Sequence, residues 1–494
     1  MGDTAGLGLV ILVIGLVGTA AVLSNRLSAR LRVPAPAIFL VCAIACAELW
    51  PHVAVLPIST VQRVVTVALA VILFDGGMHI GRGKFRGAAG AIVWAGVAGT
   101  VVTAAGTTLA ARYIIGLDWR LSLLLGTAVS ATDPAVVFSV FGRREIAGRT
   151  GVLLEGESGA NDPVGIALIA ALLGAQGSLG STTLHVIIDF AEQMAIGAAI
   201  GVAGGLALLA FMRRVPLPSE GLYAARVLAG VLCVYGAAAA AHGSGFLAVL
   251  IAGILIGDEA APYKREIQRF HSSLASLAEI TAFIMLGLTI RLTTLSIASE
   301  WTDGLVLAAL LAFVIRPVLV GLVTLPIRLS VRERVFFLWT GLKGAVPILL
   351  GMAIAESGVP GASQAYAIIF VIVGFSVLIQ GGLVPALAKW LRIPLRTVEP
   401  EPWSLGVRFA TEPAGLHRYQ VAADSLADGW PIGDLPSGAL PADNGVWVSL
   451  VIRDGTLITD TATPLRPDDE VLILADPEDE PALERLFTVQ RGPE

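Results

Sequence analysis

The chain has 494 residues, of which 55% are hydrophobic and 14% are charged, and its mean hydropathy is +0.80. A soluble protein of this length carries about 25% charged residues, so the composition excludes the ordinary soluble classes and indicates a protein of the lipid membrane. The three cysteines, Cys42, Cys46 and Cys233, lie in apolar runs, which excludes a disulfide framework and a zinc site.

Thirteen apolar runs are predicted to be transmembrane spans, because a helix needs about 20 mostly apolar residues to cross a bilayer. In chain order they cover residues 5–24, 35–50, 61–80, 88–111, 119–141, 151–174, 185–211, 222–241, 243–257, 272–290, 303–325, 335–356 and 365–390. The first run lacks a basic leader and a small-residue cleavage site, so we expect a retained helix rather than a signal peptide.

The basic residues alternate between the two ends of these spans. Three Lys or Arg lie in or beside each connection that follows an odd-numbered span, and the alternate connections carry at most two. The positive-inside rule then predicts a multi-pass protein of the plasma (inner) membrane with its N-terminus outside and its C-terminus in the cytoplasm.

The chain changes character after the last span. We expect a transmembrane domain over 1–392, a proline-containing linker over 393–404 and a small cytoplasmic α+β domain over 405–494. From residue 401 onward, 17 acidic residues stand against 6 arginines. Alternating apolar residues predict strands, and a closing helix follows; the strands cover 445–453, 456–459 and 470–475, with a hairpin turn at Asp454-Gly455, and the helix covers 481–487.

Three spans combine helix breakers with polar groups: Ser130–Pro134 in span 5, Glu155–Gly165 in span 6 and Gly341–Pro347 in span 12. A proline removes a backbone hydrogen bond, and in lipid the freed groups need protein partners or a water-lined cavity. Interrupted helices at corresponding positions of two halves point to a transporter's midplane site. Because spans 5 and 12 are seven apart, the pattern predicts two inverted three-helix units, spans 4–6 and 11–13.

Span 5 places Thr132 and Asp133 where a broken helix exposes carbonyl oxygens beside a carboxylate. Such oxygen atoms suit an alkali cation. The alternative is that Asp133 caps a half-helix that starts at Pro134. Both interpretations are compatible.

Span 6 carries two polar pairs on adjoining helix faces, Glu157 with Asn161 and Ser158 with Asp162. A buried carboxylate can hold a proton or a cation but not both, so competition at one carboxylate is sufficient for exchange; Asp162 is the predicted group. The glycines of this stretch, Gly156, Gly159 and Gly165, are expected to leave room for span 5.

Two basic residues lie inside spans, Arg316 in span 11 and Lys343 in span 12. An intramembrane cation needs a partner. We expect Glu157 to form a structural ion pair with Arg316. Lys343 has three candidate partners: Asp133, helix-terminal carbonyls and water. Asp75 in span 3 and Glu279 in span 10 either line an ion funnel or are solvated near an interface.

These motifs carry a family resemblance over residues 1–390. G-E-S-G-A-N-D-P, T-D-P, F-D-G-G, I-R-P and G-L-K-G-A resemble the monovalent cation/proton antiporters of the NhaP and sodium–proton-exchanger branch. In the tail, D-G-W-P-I-G-D-L, V-S-L-V-I-R-D-G and P-D-D-E-V-L-I-L resemble the TrkA-C (RCK-C) regulatory domain. Relatives with such a tail look most like potassium/proton antiporters of the cell-volume-regulation (CvrA) type.

The resemblance implies an all-α polytopic homodimer with inverted repeats and two crossing broken helices. A six-helix core, about 88–174 and 303–390, would move elevator-fashion to exchange K⁺, or alternatively Na⁺, for H⁺. It implies that Asp162 binds cation and proton, with Asp133, the Thr132 backbone and Ser158 nearby and Glu157 as a further candidate neighbour. Asn161 stands where electrogenic relatives carry a second Asp, which implies electroneutral exchange. Lys343 departs from the family, because many members have Arg there.

No cofactor and no nucleic acid is expected. The tail is expected to be regulatory, and four signals are open for it: a nucleotide, a cyclic dinucleotide, pH and a partner subunit. Two other functions are alternatives. Gly156–Gly159 also fits the G-x-S-G motif of rhomboid-type intramembrane proteases, for which His242 would be the base. A cation channel gated by the tail is the second, but no filter-like repeat is visible. We therefore expect a transporter rather than an enzyme.

Overall fold

The computed structural model describes residues 15, 18–19, 34–49, 57–141, 144–146, 148–174, 179–259, 261–290, 298–397, 415–431, 447–453, 456–458, 463–475 and 480–488. Nearly all of the first predicted span and the turn at Asp454-Gly455 lie outside these residues. By its internal contacts the chain divides into two units, Met1–Pro400 and Glu401–Glu494.

The first unit is built of helices that occupy the positions of the apolar runs. They are α1 (Ala35–Leu49), α2 (Ile58–Ala110), α3 (Trp119–Ala128), α4 (Pro134–Ser139), α5 (Arg149–Gly174), α6 (Leu179–Arg214), α7 (Glu220–Ala240), α8 (Gly245–Gly257), α9 (Lys264–Leu288), α10 (Ala298–Leu310), α11 (Val331–Trp339), α12 (Ala345–Glu356) and α13 (Ala362–Phe375). The expected helical, polytopic architecture is confirmed.

Three of these helices continue through wider, π-helical turns. The π-helical turns are Ala111–Ile115 after α2, Leu311–Val320 after α10 and Ser376–Gln380 after α13. The chain then runs on as Gly321–Val323 and Gly381–Leu391. Such turns often lie at functional sites, and two of them hold Arg316 and Ser376 of the site described below.

Among the described residues, six helices are long and apolar enough to cross a membrane, and three shorter apolar helices accompany them. One of the six is the continuous stretch Ile58–Ile115, which contains both predicted spans 3 and 4. The number of thirteen crossings therefore stays a prediction.

Spans 3 and 4 meet at Gly81, the one non-helical residue within α2, which has a φ of 63°. Glycine adopts this left-handed conformation without strain. The Gly83 amide donates to Asp258 Oδ2 at 2.6 Å, so the carboxylate holds the start of the second half of α2. Predicted span 3 ends at residue 80 and predicted span 4 begins at residue 88; the structure continues as helix on either side of one glycine between them.

Span 5 is interrupted between α3 and α4, and span 12 between α11 and α12. Span 6 is not interrupted, although it carries a proline. Pro163 lies inside the continuous helix α5. A single missing amide hydrogen leaves one carbonyl without its helical partner, and the helix passes through that position.

A two-stranded antiparallel ribbon joins two distant parts of the first unit. Strand β1 (Arg144–Ile146) precedes α5, and strand β2 (Leu395–Thr397) follows the last helix. Ile146 pairs with Leu395 and Arg144 pairs with Thr397. The predicted linker thus begins with a strand, whose backbone groups satisfy those of the loop before α5.

The described residues of the second unit form an antiparallel sheet and one helix. Its strands are β3 (Gly415–Gln420), β4 (Trp447–Arg453), β5 (Thr456–Ile458) and β6 (Glu470–Ala475), in the order β3–β6–β4–β5, and the chain ends its described part in α14 (Glu480–Thr488). Three strands and the helix occupy predicted positions, whereas β3 was not predicted. Val471, Ile473 and Phe487 belong to its apolar core.

One buried ion pair fastens this sheet. Arg453 donates to both oxygens of Asp469, at 2.7 Å and 2.6 Å, and the Arg466 amide donates to Oδ2 at 2.8 Å. Burial raises the pKa of the Asp469 carboxyl, but the hydrogen bonds from Arg453 and Arg466 outweigh it, and the pKa lies below its ordinary 3.8.

Candidate functional site

The two interrupted helices meet at their breaks. The Asp133 amide, at the end of the first break, donates to the Leu342 carbonyl in the second at 2.8 Å. The approach is so close that a Cβ atom on Gly344 would overlap the carboxylate of Asp133. A glycine is therefore required at this crossing.

Charged side chains neutralise the ends of the half-helices. Lys343 Nζ donates to the carbonyls of Ser130 and Ala131, at 3.3 Å and 3.1 Å, just beyond the C-terminus of α3. Asp133 Oδ1 accepts from the Ala135 amide at 2.9 Å and caps α4. A cation at a helix C-terminus and an anion at an N-terminus both oppose the helix dipole. Of the three candidate partners of Lys343, the structure shows the helix-terminal carbonyls.

Two side chains of α5 hold the first break in place. Asn161 accepts from the Thr132 amide at 3.2 Å and donates to Thr132 Oγ1 at 2.6 Å. Ser158 Oγ donates to the Thr132 carbonyl. All three residues are buried, with exposed fractions of 4% or less. Backbone groups freed by the break are thus satisfied by protein, as a membrane interior demands.

Asp162 lies one residue further along α5 and is 7% exposed. Its Oδ1 atom has no hydrogen-bond partner among the described residues. A buried carboxylate oxygen without a donor is rare in folded proteins. The position therefore suits a bound proton or a bound cation.

Asp162 lines a cavity of about 370 Å³ together with Asp133 and Ser158. Asp75, His79, Glu155 and Glu279 also line it, as do Ser272 and Ser276. Ser272 Oγ donates to Asp75 Oδ1 at 3.0 Å, and His79 Nδ1 lies 3.4 Å from Asp75 Oδ2. His79 is more than half exposed. Asp75 and Glu279 thus line the same cavity as Asp162; an ion funnel stays a prediction for them.

Glu157 and Arg316 form the expected pair beside this cavity. Arg316 Nη2 donates to both Glu157 oxygens, at 3.1 Å and 2.9 Å, and Nε donates to the Leu338 carbonyl at 2.9 Å. Both side chains are 3% exposed. The guanidinium also occupies the space into which a Cβ atom on Gly341 would project. Glu157 does not line the cavity that Asp162 faces.

A chain of hydrogen bonds that was not predicted from the sequence holds the backbone of Lys343. The Lys343 amide donates to Ser376 Oγ at 2.9 Å, Ser376 donates to Gln380 Oε1 at 3.2 Å, and Gln380 donates to the Trp339 carbonyl at 2.6 Å. Ser376 and Gln380 are four apart in the last apolar run, the spacing of one helix face. That spacing is the signal that could have found them.

All three glycines of α5 were expected to face span 5, but two of them face other helices. A Cβ atom on Gly156 would meet Ile92 of α2, and one on Gly159 would meet Leu250 of α8. Only Gly165 lies against span 5, at Ala131. Successive positions on a helix point in different directions, so each glycine admits a different neighbour.

The geometry does not assemble the serine protease arrangement. The Ser158 hydroxyl donates to the Thr132 carbonyl. His242, the base that this alternative needs, is exposed just beyond the end of α7 and does not line the cavity that contains Ser158. A nucleophilic serine requires a base within hydrogen-bond reach.

Comparison with known proteins gives consistent matches. The family model described as "Sodium/hydrogen exchanger, transmembrane" matches residues 15–390. The K(+)/H(+) antiporter NhaP of Alkalimonas amylolytica is 32% identical over 97% of this chain and 83% of its own length. The Na(+)/H(+) antiporter NhaH of Halobacillus dabanensis is 29% identical over 59% of this chain and 74% of its own.

Among solved structures, the sodium proton antiporter MjNhaP1 from Methanocaldococcus jannaschii superposes with a TM-score of 0.64. The superposition covers 77% of this chain and 99% of that one, at 22% sequence identity. At this identity the match establishes the fold.

Proposed function

The chain belongs to the sodium/hydrogen exchanger family, and from this premise we propose that it exchanges a monovalent cation for a proton across the plasma membrane. The observation that carries the proposal is the Oδ1 atom of Asp162, which has no hydrogen-bond partner among the described residues. Asp162 is buried and lines a cavity at the crossing of two interrupted helices. A carboxylate in this position can bind one of the two ions at a time.

Competition at Asp162 couples the two fluxes. A cation that approaches the carboxylate favours its ionised form and so displaces the proton. When the core opens to the other side, a proton displaces the cation. Ser158 and Thr132 supply neutral oxygens beside Asp162, and Asp133 adds negative charge. One cation for one proton is electroneutral, in keeping with the uncharged Asn161 next to Asp162.

The crossing supports alternating access by a moving core. Lys343 and Asp133 neutralise the half-helix ends with groups of the same crossing, so these partners move with the site. We propose that the six-helix core moves elevator-fashion in a homodimer, with the N-terminus outside and the C-terminus in the cytoplasm. These details rest on the family resemblance and on the distribution of basic residues.

For the cation, we propose K⁺ first and Na⁺ second. Relatives named as K(+)/H(+) antiporters match nearly the whole chain, whereas the Na(+)/H(+) antiporter matches 59% of it.

We propose that the second unit is a TrkA-C-like regulatory domain for a small ligand such as a nucleotide or cyclic dinucleotide. Its compact sheet and separate core support a folded domain. We propose no enzymatic activity for the chain.

Exchange is tested by reconstituting the chain in liposomes that contain a pH-sensitive dye. Pulses of K⁺ or Na⁺ should drive proton movement in the wild type, and Asp162→Asn should abolish it while the protein remains folded. The matched control is Asp189→Asn, which removes an exposed carboxylate on α6. Exchange retained in Asp162→Asn would overturn the site. A cation current without proton movement would favour the channel.

A further inference from the structure

Two carboxylate oxygens of the membrane unit face one cavity without a partner. They are Asp162 Oδ1 on α5 and Glu279 Oε1 on α9, and neither accepts a hydrogen bond from any described residue. Both residues line the cavity of about 370 Å³. Asp162 is the exchange site of the proposed function, and Glu279 has no role in it.

Glu279 stands on a polar face of α9. Ser272, Ser276 and Glu279 follow one another at helical spacing, and all three line the cavity. Ser276 Oγ donates to the Ser272 carbonyl at 3.0 Å, which leaves the lone pairs of this hydroxyl free to face a cation. The face thus offers carboxylate and hydroxyl oxygens, the ligands that hard cations prefer.

The charge of the cavity is almost wholly negative. Its lining contains Asp75, Asp133, Glu155, Asp162 and Glu279, and among the described lining residues only His79 is basic. A cleft lined by charge of one sign raises the local concentration of counter-ions. Lys343 and Arg316, the nearby buried cations, do not line this cavity.

We propose that Glu279, with the serine-bearing face of α9, forms a second, staging site for the transported monovalent cation. The cation contacts Glu279 first and then passes to Asp162. This inference rests on the proposed function and deepens it. Helix α9 lies outside the six-helix core and does not move with Asp162. Glu279 therefore passes cations to Asp162 only when the core is open to the side of the membrane on which Asp75 and His79 lie.

Loss of Glu279 should therefore affect cation binding from one side of the membrane only. The positive-inside rule places the Asp75 end of the cavity on the cytoplasmic side. Glu279→Gln should therefore raise the KM for the cytoplasmic cation about tenfold, the effect of one lost charge-assisted contact. The KM measured from the outer face and the maximal rate should change by less than about twofold. Glu279→Asp, which keeps the charge, should recover most of the affinity.

The measurement uses everted and right-side-out vesicles that contain the full-length protein. The matched control is Glu300→Gln. Glu300 is also buried, and its Oε2 atom accepts no hydrogen bond from the part of the chain that the structure describes, but Glu300 does not line the cavity. An unchanged cytoplasmic KM would overturn the proposal, and so would an equal rise at both faces. Wild-type vesicles without cation-driven proton movement would instead refute the proposed function, so the two failures are distinguishable.

A second measurement separates binding from transport. In purified Asp162→Asn protein, K⁺ at high concentration should still raise the melting temperature. The Asp162→Asn/Glu279→Gln double variant should lose this stabilisation, because no carboxylate remains at either site. Equal stabilisation of the two variants by K⁺ would contradict a separate site at Glu279.

Discussion

Arg316 Nη2 lies 2.9 Å from Glu157 Oε2, and both side chains are 97% shielded from solvent. The pair joins α5, which carries Asp162, to the π-helical turn Leu311–Val320. The Nε atom of Arg316 donates to the Leu338 carbonyl of α11. One guanidinium thus connects three elements around the crossing.

Removal of one partner should be far more damaging than removal of both. Arg316→Met leaves Glu157 as an uncompensated buried charge, which costs about 3–5 kcal/mol of stability. The Glu157→Gln/Arg316→Met double variant should recover much of this loss. The melting temperature in detergent is the measurement. The control is Glu259→Gln, which removes a partly exposed bridge between Arg82 and Arg213 and should cost about 1 kcal/mol or less. A double variant as unstable as Arg316→Met would contradict the pair's role.

Gly344→Ala should disable exchange. The added methyl group would overlap the Asp133 carboxylate and force the two breaks apart. A displacement of about 1 Å at a reacting centre can cost about a hundredfold in rate, so we expect at least about a tenfold loss of exchange. Gly374→Ala in α13 is the control, because nothing lies within 4 Å of its Cβ position. Equal rates in the two variants would show that the crossing tolerates separation.

Asn161→Asp tests the basis of electroneutrality. The carboxylate can accept from both the Thr132 amide and the Thr132 hydroxyl, so it can keep the break braced. It also adds a negative charge beside Asp162. We expect the exchange rate of this variant to depend on membrane potential, whereas the wild type should not. Asn161→Ala, which removes both hydrogen bonds without adding charge, should lower the melting temperature and stay insensitive to potential. Equal voltage responses of Asn161→Asp and the wild type would exclude position 161 as the determinant.

The second unit should lose stability when Asp469 is neutralised. Because the pKa of Asp469 is depressed in the folded chain, its contribution to stability is present above its ordinary value of 3.8 and is lost as pH falls through the lower folded value. Asp469→Asn should therefore speed amide hydrogen exchange in β6 at pH 7, and the difference from wild type should shrink below pH 3.8. Asp468→Asn is the control, since Asp468 is exposed. A difference that persists in acid would contradict the ion pair's contribution.

The sequence predicted the helix positions well because each depends on a long apolar run. It also located the two breaks, since Pro134 and Pro347 stand beside polar residues. Pro163 has similar neighbours, yet α5 is continuous; the outcome depends on whether nearby helices accommodate the proline, which local sequence does not encode. The partner of Lys343 could not be chosen from the sequence for the same reason. It depends on how close the last carbonyls after α3 come to the break before α12, which is a matter of tertiary packing.

The stretch after Ile80 is helical for a reason that lies far away in the chain. Arg82 and Lys84 lie in the predicted connection between spans 3 and 4, but Asp258, 177 residues beyond Gly81, caps the helix that begins there. A capping partner so distant in the chain is invisible to local pattern. The glycines of α5 show the same limit, because their neighbours follow from the rotation of the helix in the bundle.

The β1–β2 ribbon has a mechanical consequence. A force applied to the chain after Thr397 acts first on β2, and β1 shares that load through the backbone hydrogen bonds of their paired residues. Ile146 of β1 is buried, and its carbonyl lies against Gly151 in the first turn of α5. Tension on the chain after Thr397 is therefore transmitted to the N-terminal end of α5, the helix that carries Asp162, and not only to the helix Gly381–Leu391 that precedes β2.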